Sequence, residues 1–303
     1  MDYEIHTIDL HHRNMPHVIA AFVVEGPGGL VLVETGPGSA QQRLADGIRA
    51  LGFQPTDIRH VLVTHIHLDH AGAAGWWARQ GAHVYVHHIG APHLIDPTRL
   101  LTSARRIYGA EMEALWGDIL PAPAERVTAL HDGDTVDVCG LQFTALDTPG
   151  HARHHHAFRL GDIAFSGDIA GVRMPGTSLV AVPAPPPEFN LEDWHGSLSR
   201  MLQEDFTALY LTHFGRFDDA RRHLEAMTSQ LSQAAEHVRE QMAANAARDE
   251  IVADYTAWQR RRAEEAGMSA SAVRRSETAN GHYASVDGMM RYWRKRWEQE
   301  AAS

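Results

Sequence analysis

Cysteine is almost missing: Cys139 is the only one in 303 residues. An intrachain disulfide and a thiolate-based zinc cluster are thereby excluded. No apolar run approaches the ~20 residues that a membrane-spanning helix requires. The opening segment, MDYEIHTIDLHHRNMPH, lacks the basic start and apolar core of a signal peptide. These absences point to the cytoplasm and away from stable membrane association. An excess of positive charge is also lacking, with a net charge of -11 and a pI of about 6.0. Such a surface repels phosphate backbones, so no nucleic-acid partner is expected. Internal repeats and low-complexity tracts are absent. Any bound metal must be held by histidine and carboxylate.

What remains is an ordinary globular composition, 44% hydrophobic and 21% charged. The length suits one large domain or two smaller ones. Over the first two thirds, strand-like and helix-like segments alternate. VIAAFVVEG and GLVLVETG are β-branched runs parted by Gly26, Pro27, Gly28 and Gly29, which predicts a hairpin. Ser39 is placed to cap a helix through AQQRLADGIRAL, with Gly52 as its end. IRHVLVTH and HVYVH read as strands, with a helical AGAAGWWARQG between them. Residues 92–127 read as irregular or helical, an insertion able to cover a cleft, with Tyr108, Met112 and Trp116 as candidate pocket residues. DTVDVCGLQFTALDTPGH and HHAFRLGDIAFSGDIAG each predict paired strands.

The stretch VPAPPPEFN is stiffened by four prolines and reads as an extended connector. A helix, LEDWHGSLSRMLQED, and a short strand, TALYLTHFG, follow. Beyond Phe217 the composition turns to Ala, Glu, Gln and Arg. Leu224, Met227, Leu231, Val238 and Met242 then keep helical spacing. The last helix carries Val286, Met290, Trp293 and Trp297 on one side and Arg291, Arg294, Lys295 and Arg296 on the other. That pattern fits a helix packed on its own protein better than one lying on a membrane surface. This tail is expected to cover the site or to form a homodimer contact.

Histidine is abundant, 22 in all, so a cluster of it needs corroboration. In HVLVTHIHLDHAGAAG, His65 and His67 are two apart on an extended segment and point to one side, where they can bind one ion. Asp69 and His70 are offset, and a turn can aim them at a second point. Three more candidates follow the same order of strand, polar residue and turn: His151 in DTPGH, Asp168 in FSGDIAG and His213 in LYLTHFG. Most other histidines, among them His6, His11, His12, His17, His83, His87, His88, His93 and His131, read as ordinary core or surface side chains.

THIHLDH, TPGH, SGD and LTHFG closely resemble the ordered motifs of the metallo-β-lactamase-fold hydrolases. ETGPGS resembles the first motif of that family, with Glu34 where aspartate is usual. The resemblance implies a four-layer αββα sandwich over residues 1–217, with a helical extension over 218–303. It also implies that His65, His67 and His151 bind one metal, that Asp69, His70 and His213 bind a second, and that Asp168 bridges the two. His155 matches a histidine that is not a ligand in many members, and no role is read for His154.

Two cations about 3.5–4 Å apart can share a water and lower its pKa toward neutrality. Asp69 and Asp168 are then the expected catalytic carboxylates, and Asp69 can shuttle a proton. The expected cofactor is a pair of divalent ions, zinc first, with iron or manganese compatible. The expected reaction is hydrolysis of a small ester, lactone or thioester, in the glyoxalase II and lactonase-like branch. An aspartate at 168 argues against a true β-lactamase, which usually has cysteine or serine there. GDIAGVRMPGTSLVAVPAP contains no tyrosine, a departure from many lactonases. An iron-dependent oxidoreductase on the same fold, or a silent signalling member, is the alternative.

Overall fold

The computed structural model describes residues 3–302; Met1, Asp2 and Ser303 lie outside the described residues. Two six-stranded sheets form its centre. The first contains β1 (Glu4–Asp9), β2 (Ala20–Gly26), β3 (Gly29–Val33), β4 (Ile58–Leu62), β5 (His83–His87) and β6 (Val127–Leu130), side by side in that order. The β1–β2 and β2–β3 pairs are antiparallel, and β3 to β6 run parallel. The second sheet contains β7 (Thr135–Val138), β8 (Leu141–Asp147), β9 (His156–Leu160), β10 (Ile163–Phe165), β11 (Ala208–Leu211) and β12 (Gly215–Phe217). There β10 and β11 are parallel and the other neighbours antiparallel. The hairpins expected from sequence are present, β2–β3 turning through the glycine-rich stretch.

Successive side chains of a strand face opposite sides, and both sides are covered here, so both faces of these strands are apolar. On β2, Phe22 and Val24 point between the sheets, and Ala21 and Val23 point outward to the helices. On β11, Tyr210 points inward, and Leu209 and Leu211 outward. The layer between the sheets is filled by Phe22, Phe143, Phe158 and Phe165.

Outside the first sheet lie α1 (Gln41–Ala50), α2 (Leu68–Ala71), α3 (Ala74–Arg79) and α4 (Ala91–Ile95), followed by α5 (Thr98–Tyr108) and α6 (Met112–Trp116). The second sheet is covered by α7 (Leu191–Gln203), α8 (Ala220–Ala243), α9 (Arg248–Glu265) and α11 (His282–Ala301), with α10 (Ala270–Ala279) before the last turn. The result is an αββα sandwich with a C-terminal helical region. Leu224, Met227, Leu231 and Val238 of α8 are buried against Leu209 and Leu211, as their spacing requires. Val286 and Met290 of α11 join the same cluster, and Arg291, Arg294, Lys295 and Arg296 are turned away from it. Among the described residues, no helix is long and apolar enough to cross a membrane.

Ser39 does not cap α1. Gly38–Ala40 forms a separate 3-10 turn, and Ala40 precedes the helix. The Ser39 hydroxyl instead donates to the Leu115 carbonyl at 2.7 Å, tying the α5–α6 insertion to the body. Gly52 ends the helix as expected, with φ +92° and its amide donating to Arg49. Residues 182–190 contain no helix, as four prolines dictate.

Candidate metal centre

The seven sequence-selected residues all lie beyond the carboxyl ends of strands, where a rigid sheet can fix side chains on short loops. After β4 a short irregular segment carries buried Thr64 and His65 to His67, which stands at the N-cap of α2 with φ −60° and ψ 151°. The change from extended chain to helix turns Asp69 and His70 away from the His65–His67 direction. His151 follows β8, Asp168 follows β10 and His213 follows β11. His65, His70, His151, Asp168 and His213 are buried.

The structure brings the seven together. His65, His67 and His151 offer nitrogens that all lie within 4.8 Å of one another, and so do the donor atoms of Asp69, His70 and His213. Asp168 lies between the two groups. Its Oδ2 is 3.3 Å from Nε2 of His151, and its Oδ1 is 3.2 Å from Nε2 of His70 and 3.4 Å from Nε2 of His213. Asp69 reaches Nε2 of His213 at 3.4 Å.

Hydrogen bonds on the outer side of the rings fix their tautomers. Nδ1–H of His151 donates to the Pro183 carbonyl at 2.7 Å, and Nδ1–H of His213 donates to the Val18 carbonyl at 2.6 Å. Nδ1–H of His70 donates to Oε1 of Glu34 at 3.1 Å. Thr64 gives its hydroxyl proton to the same Oε1 at 2.5 Å, so its oxygen accepts from Nδ1–H of His65 at 3.0 Å. In all four rings Nε2 is the nitrogen turned inward, and in neutral His65 and His151 it keeps its lone pair. Nε2 of His65 and Nε2 of His151 lie 3.0 and 2.8 Å from Nδ1 of His67. Nε2 of His70 and Oδ1 of Asp168 are sealed from solvent without a well-aligned hydrogen bond. Converging lone pairs and an unsatisfied buried carboxylate oxygen are costly unless a cation lies among them. The donor set, imidazole with carboxylate, fits a divalent transition metal.

The electrostatics divide the site. Burial, reinforced by neighbouring imidazoles, pushes His65 well below the usual histidine range and His67 down to about 3. Burial also lowers His151. These three rings stay neutral and keep their lone pairs. Burial works against protonated His70 too, but Asp168, Asp69 and Glu34 outweigh it and raise that ring well above its ordinary value. His213 is raised against burial by Asp168 and Asp69. Burial alone would raise Asp69 and Asp168, yet His70 with His213 holds Asp69 down, and His70, His151 and His213 hold Asp168 down. Both carboxylates stay ionised and attract positive charge, supplied by protons or by metal ions.

Glu34 and His155, both marked by the motifs, are joined to the site by contacts that the sequence alone did not show. Glu34 accepts from Thr64 and His70 and lies 3.4 Å from Oγ1 of Thr212. His155 takes its place behind the site: its Nδ1 pairs with Oγ1 of Thr148 at 2.8 Å, and its Nε2 accepts the amide of Asp168 at 3.1 Å. Gly167 is required between them. Its φ is +50°, and a Cβ there would meet Oγ1 of Thr64 at 2.5 Å and Nε2 of His155 at 2.6 Å. His154 is buried edge-on to His67, with ring centroids 5.2 Å apart, and its Nε2 lies 3.5 Å from Glu188. His12 is not an ordinary surface histidine. It is buried and stacked on Trp116, at 5.6 Å between centroids, and Asp69 and His213 both influence its charge.

A profile described as "Metallo-beta-lactamase superfamily" matches residues 15–213. The chain belongs to this superfamily, whose members are mostly metal-dependent hydrolases. A metallo-beta-lactamase fold-containing protein of Sulfurisphaera tokodaii is 24% identical over 231 residues, 74% of this chain and 84% of its own length. A hydroxyacylglutathione hydrolase of Stenotrophomonas maltophilia is 29% identical over 147 residues, 48% of this chain and 43% of that enzyme. Among solved structures, a metallo-beta-lactamase family protein of Thermus thermophilus superposes with a TM-score of 0.69 and 21% identity, covering 96% of this chain and 93% of that one.

Proposed function

We propose that the protein is a dinuclear-metal hydrolase of a small carboxylic ester, lactone or thioester, in the glyoxalase II and lactonase-like branch of its superfamily. The observation that carries this reading is the split carboxylate of Asp168, whose two oxygens face the two histidine groups. His65, His67 and His151 would hold one ion, Asp69, His70 and His213 the other, and Asp168 both. Zinc suits this donor set best, and iron or manganese fits the same residues. When bound, the ions would supply an activated water and polarise the substrate's carbonyl oxygen.

The chain's own groups do the rest. Glu34 and the carbonyls of Pro183 and Val18 hold three imidazoles in the tautomer that turns Nε2 inward. Asp69 is the more open of the two carboxylates, 22% exposed against 5% for Asp168 at the side chain. It can therefore take the proton released as water attacks and deliver it to the leaving oxygen or sulfur. Asp168 is enclosed and stays ionised, as a bridging ligand must. The partial likeness to a hydroxyacylglutathione hydrolase supports a thioester or ester over a phosphoryl substrate.

The test is elemental analysis of the freshly purified protein, followed by an ester, thioester and lactone panel on the same sample. Two equivalents of zinc, no colour and turnover of at least one carboxylic substrate are expected. A coloured, iron-loaded protein inert on the whole panel would overturn the hydrolase in favour of redox chemistry.

A further inference from the structure

His12 has no place in the metal centre, yet it is buried beside it. The loop that presents it is unusual: His11, Arg13, Asn14 and His17 all have φ between 46° and 60°. Left-handed backbone at four non-glycine residues persists only where the surroundings impose it. Asp9 braces both ends of this loop, accepting the amides of His11 at 3.0 Å and His17 at 2.8 Å. The loop thereby presses the His12 ring onto Trp116, nearly parallel at 18°.

Trp116 continues into a second aromatic contact. Tyr108, at the end of α5, meets it edge-on at 5.0 Å. Both belong to one apolar cluster with Leu68, the residue between His67 and Asp69. The wall therefore stands on the Asp69 side of the site, and Asp69 influences the charge of both His12 and Tyr108.

Neither ring nitrogen of His12 and no hydroxyl of Tyr108 is hydrogen-bonded among the described residues, and none of these atoms is sealed from water. A nearly buried imidazole without a protein partner is costly unless it faces solvent or a ligand. Burial keeps His12 neutral, lowered to about 4. Two uncharged polar side chains thus share one aromatic wall, and Asp69 lies near enough to act on both.

We propose that His12 and Tyr108 are substrate-contacting residues that hydrogen-bond an uncharged oxygen of the substrate beyond the bond that is cut, with Trp116 as their backing plate. The substrate class narrows to esters, lactones or thioesters bearing a hydroxyl, carbonyl or amide oxygen on the side that lies over Asp69. This inference rests on the hydrolase reading above.

The experiment uses metal-loaded full-length protein and two probe pairs: γ-butyrolactone with its 2-hydroxy derivative, and p-nitrophenyl butyrate with p-nitrophenyl 3-hydroxybutyrate. Wild-type protein should prefer the oxygen-bearing member of at least one pair. His12→Phe keeps the stack on Trp116 and removes the donor; Tyr108→Phe removes only the hydroxyl. Each should lower the preference ratio in kcat/KM by about 3- to 10-fold, the worth of one neutral hydrogen bond, with metal content unchanged. His12→Gln, which can still donate, should restore most of the ratio. Equal losses on both members of each pair, or an unchanged ratio in both variants, would overturn the inference while leaving the hydrolase intact. A fully metallated wild type that cleaves none of the four probes and nothing in the wider panel would instead remove the hydrolase reading, and this inference with it.

Discussion

Oε1 of Glu34 lies 3.1 Å from Nδ1 of His70, and both side chains are buried although 36 residues separate them. The same oxygen also accepts from Thr64 at 2.5 Å, so one carboxylate positions His70 directly and His65 through Thr64. Glu34 itself sits at φ +65°, a conformation its environment must hold. Replacing it by alanine leaves His70 free to rotate and the Thr64 hydroxyl without its acceptor. Glu34→Ala should weaken metal binding by about 10- to 100-fold, the usual effect of losing a group that orients a ligand. Glu34→Asp shortens the side chain by one methylene and should fall between alanine and wild type. Competition with a chromophoric zinc chelator measures both; wild-type affinity in Glu34→Ala would show that the carboxylate orients nothing.

Asp168 carries the sharpest consequence of the dinuclear reading. Because its oxygens face both histidine groups, Asp168→Ala should reduce metal content and turnover together, with turnover down at least about 100-fold, more than an orienting residue costs. Asp168→Asn keeps the shape and one acceptor oxygen but loses the charge, and should retain less than two equivalents of metal. Mass-spectrometric metal counting beside the hydrolysis assay reads both. Loss of activity with both metals retained would assign Asp168 another role.

The strand-and-turn order made most of the fold and the seven clustered residues legible in the sequence. Near-continuous apolar runs stop where the sheet stops, and the polar residue after each stop is carried to one edge. His65, His151, Asp168 and His213 could be selected on that basis. His12 could not, because its place depends on Trp116 far along the chain and on a loop held by Asp9. The only local signal was a pair of histidines followed by Arg13 and Asn14, which does not announce left-handed backbone. Ser39 misled for a related reason: the Leu115 carbonyl, from a distant insertion, takes the hydroxyl that a local rule gives to the helix.

The loop around His12 offers a direct test of its tether. Asp9 accepts two backbone amides of the loop, those of His11 and His17. Asp9→Ala should cost about 1–2 kcal/mol of stability. It should also lower turnover without lowering metal content, since no candidate ligand touches Asp9. Urea unfolding and metal counting separate the two effects; a parallel loss of metal would place the loop's role in the centre itself.

Acid should destabilise the fold through histidines buried in neutral form. His223 is the clearest, outside the histidine groups, with Nε2–H on the Ala170 carbonyl at 2.7 Å and Nδ1 facing Arg173 at 3.3 Å. Burial lowers it from 6.5 to about 4, with Arg173 adding to the effect and the Ala170 carbonyl opposing it. Between those values the unfolded chain binds a proton that the folded chain refuses. Its contribution is therefore complete above about 6.5 and is lost as pH falls toward 4, at up to about 1.4 kcal/mol per pH unit. His70 and His213, raised in the metal-free fold, act in the opposite sense: their contribution is complete below the unfolded value and fades as pH rises through the folded one. Comparing wild type with His223→Gln in urea at several pH values cancels those two and isolates His223. A wild-type slope no steeper than that of the variant between pH 6 and 5 would refute the assignment.

The C-terminal helix packs on the connector whose Pro183 carbonyl holds His151. Gly288 of α11 lies so close to the 182–187 connector that a Cβ would meet the Ala184 oxygen at 1.9 Å. Beside it, the Ser285 hydroxyl donates to the Val182 carbonyl at 3.1 Å and accepts the Ala184 amide at 3.2 Å, and Asn280 donates to Val182 at 3.0 Å. The carbonyl between those contacts, that of Pro183, holds Nδ1 of His151. A methyl group at 288 must push the connector away, so Gly288→Ala should cost about 1–3 kcal/mol as overpacking and should weaken metal binding by releasing His151. Gly196, mid-way along α7, has nothing within 4 Å of its missing Cβ. Gly196→Ala should therefore gain about 1 kcal/mol from helix propensity alone, with metal affinity unchanged. Thermal midpoints and zinc titrations of the two variants form a matched pair. If Gly288→Ala lowers stability and leaves zinc affinity at the wild-type value, the helix supports the sheet without holding His151, and the coupling through Pro183 is wrong.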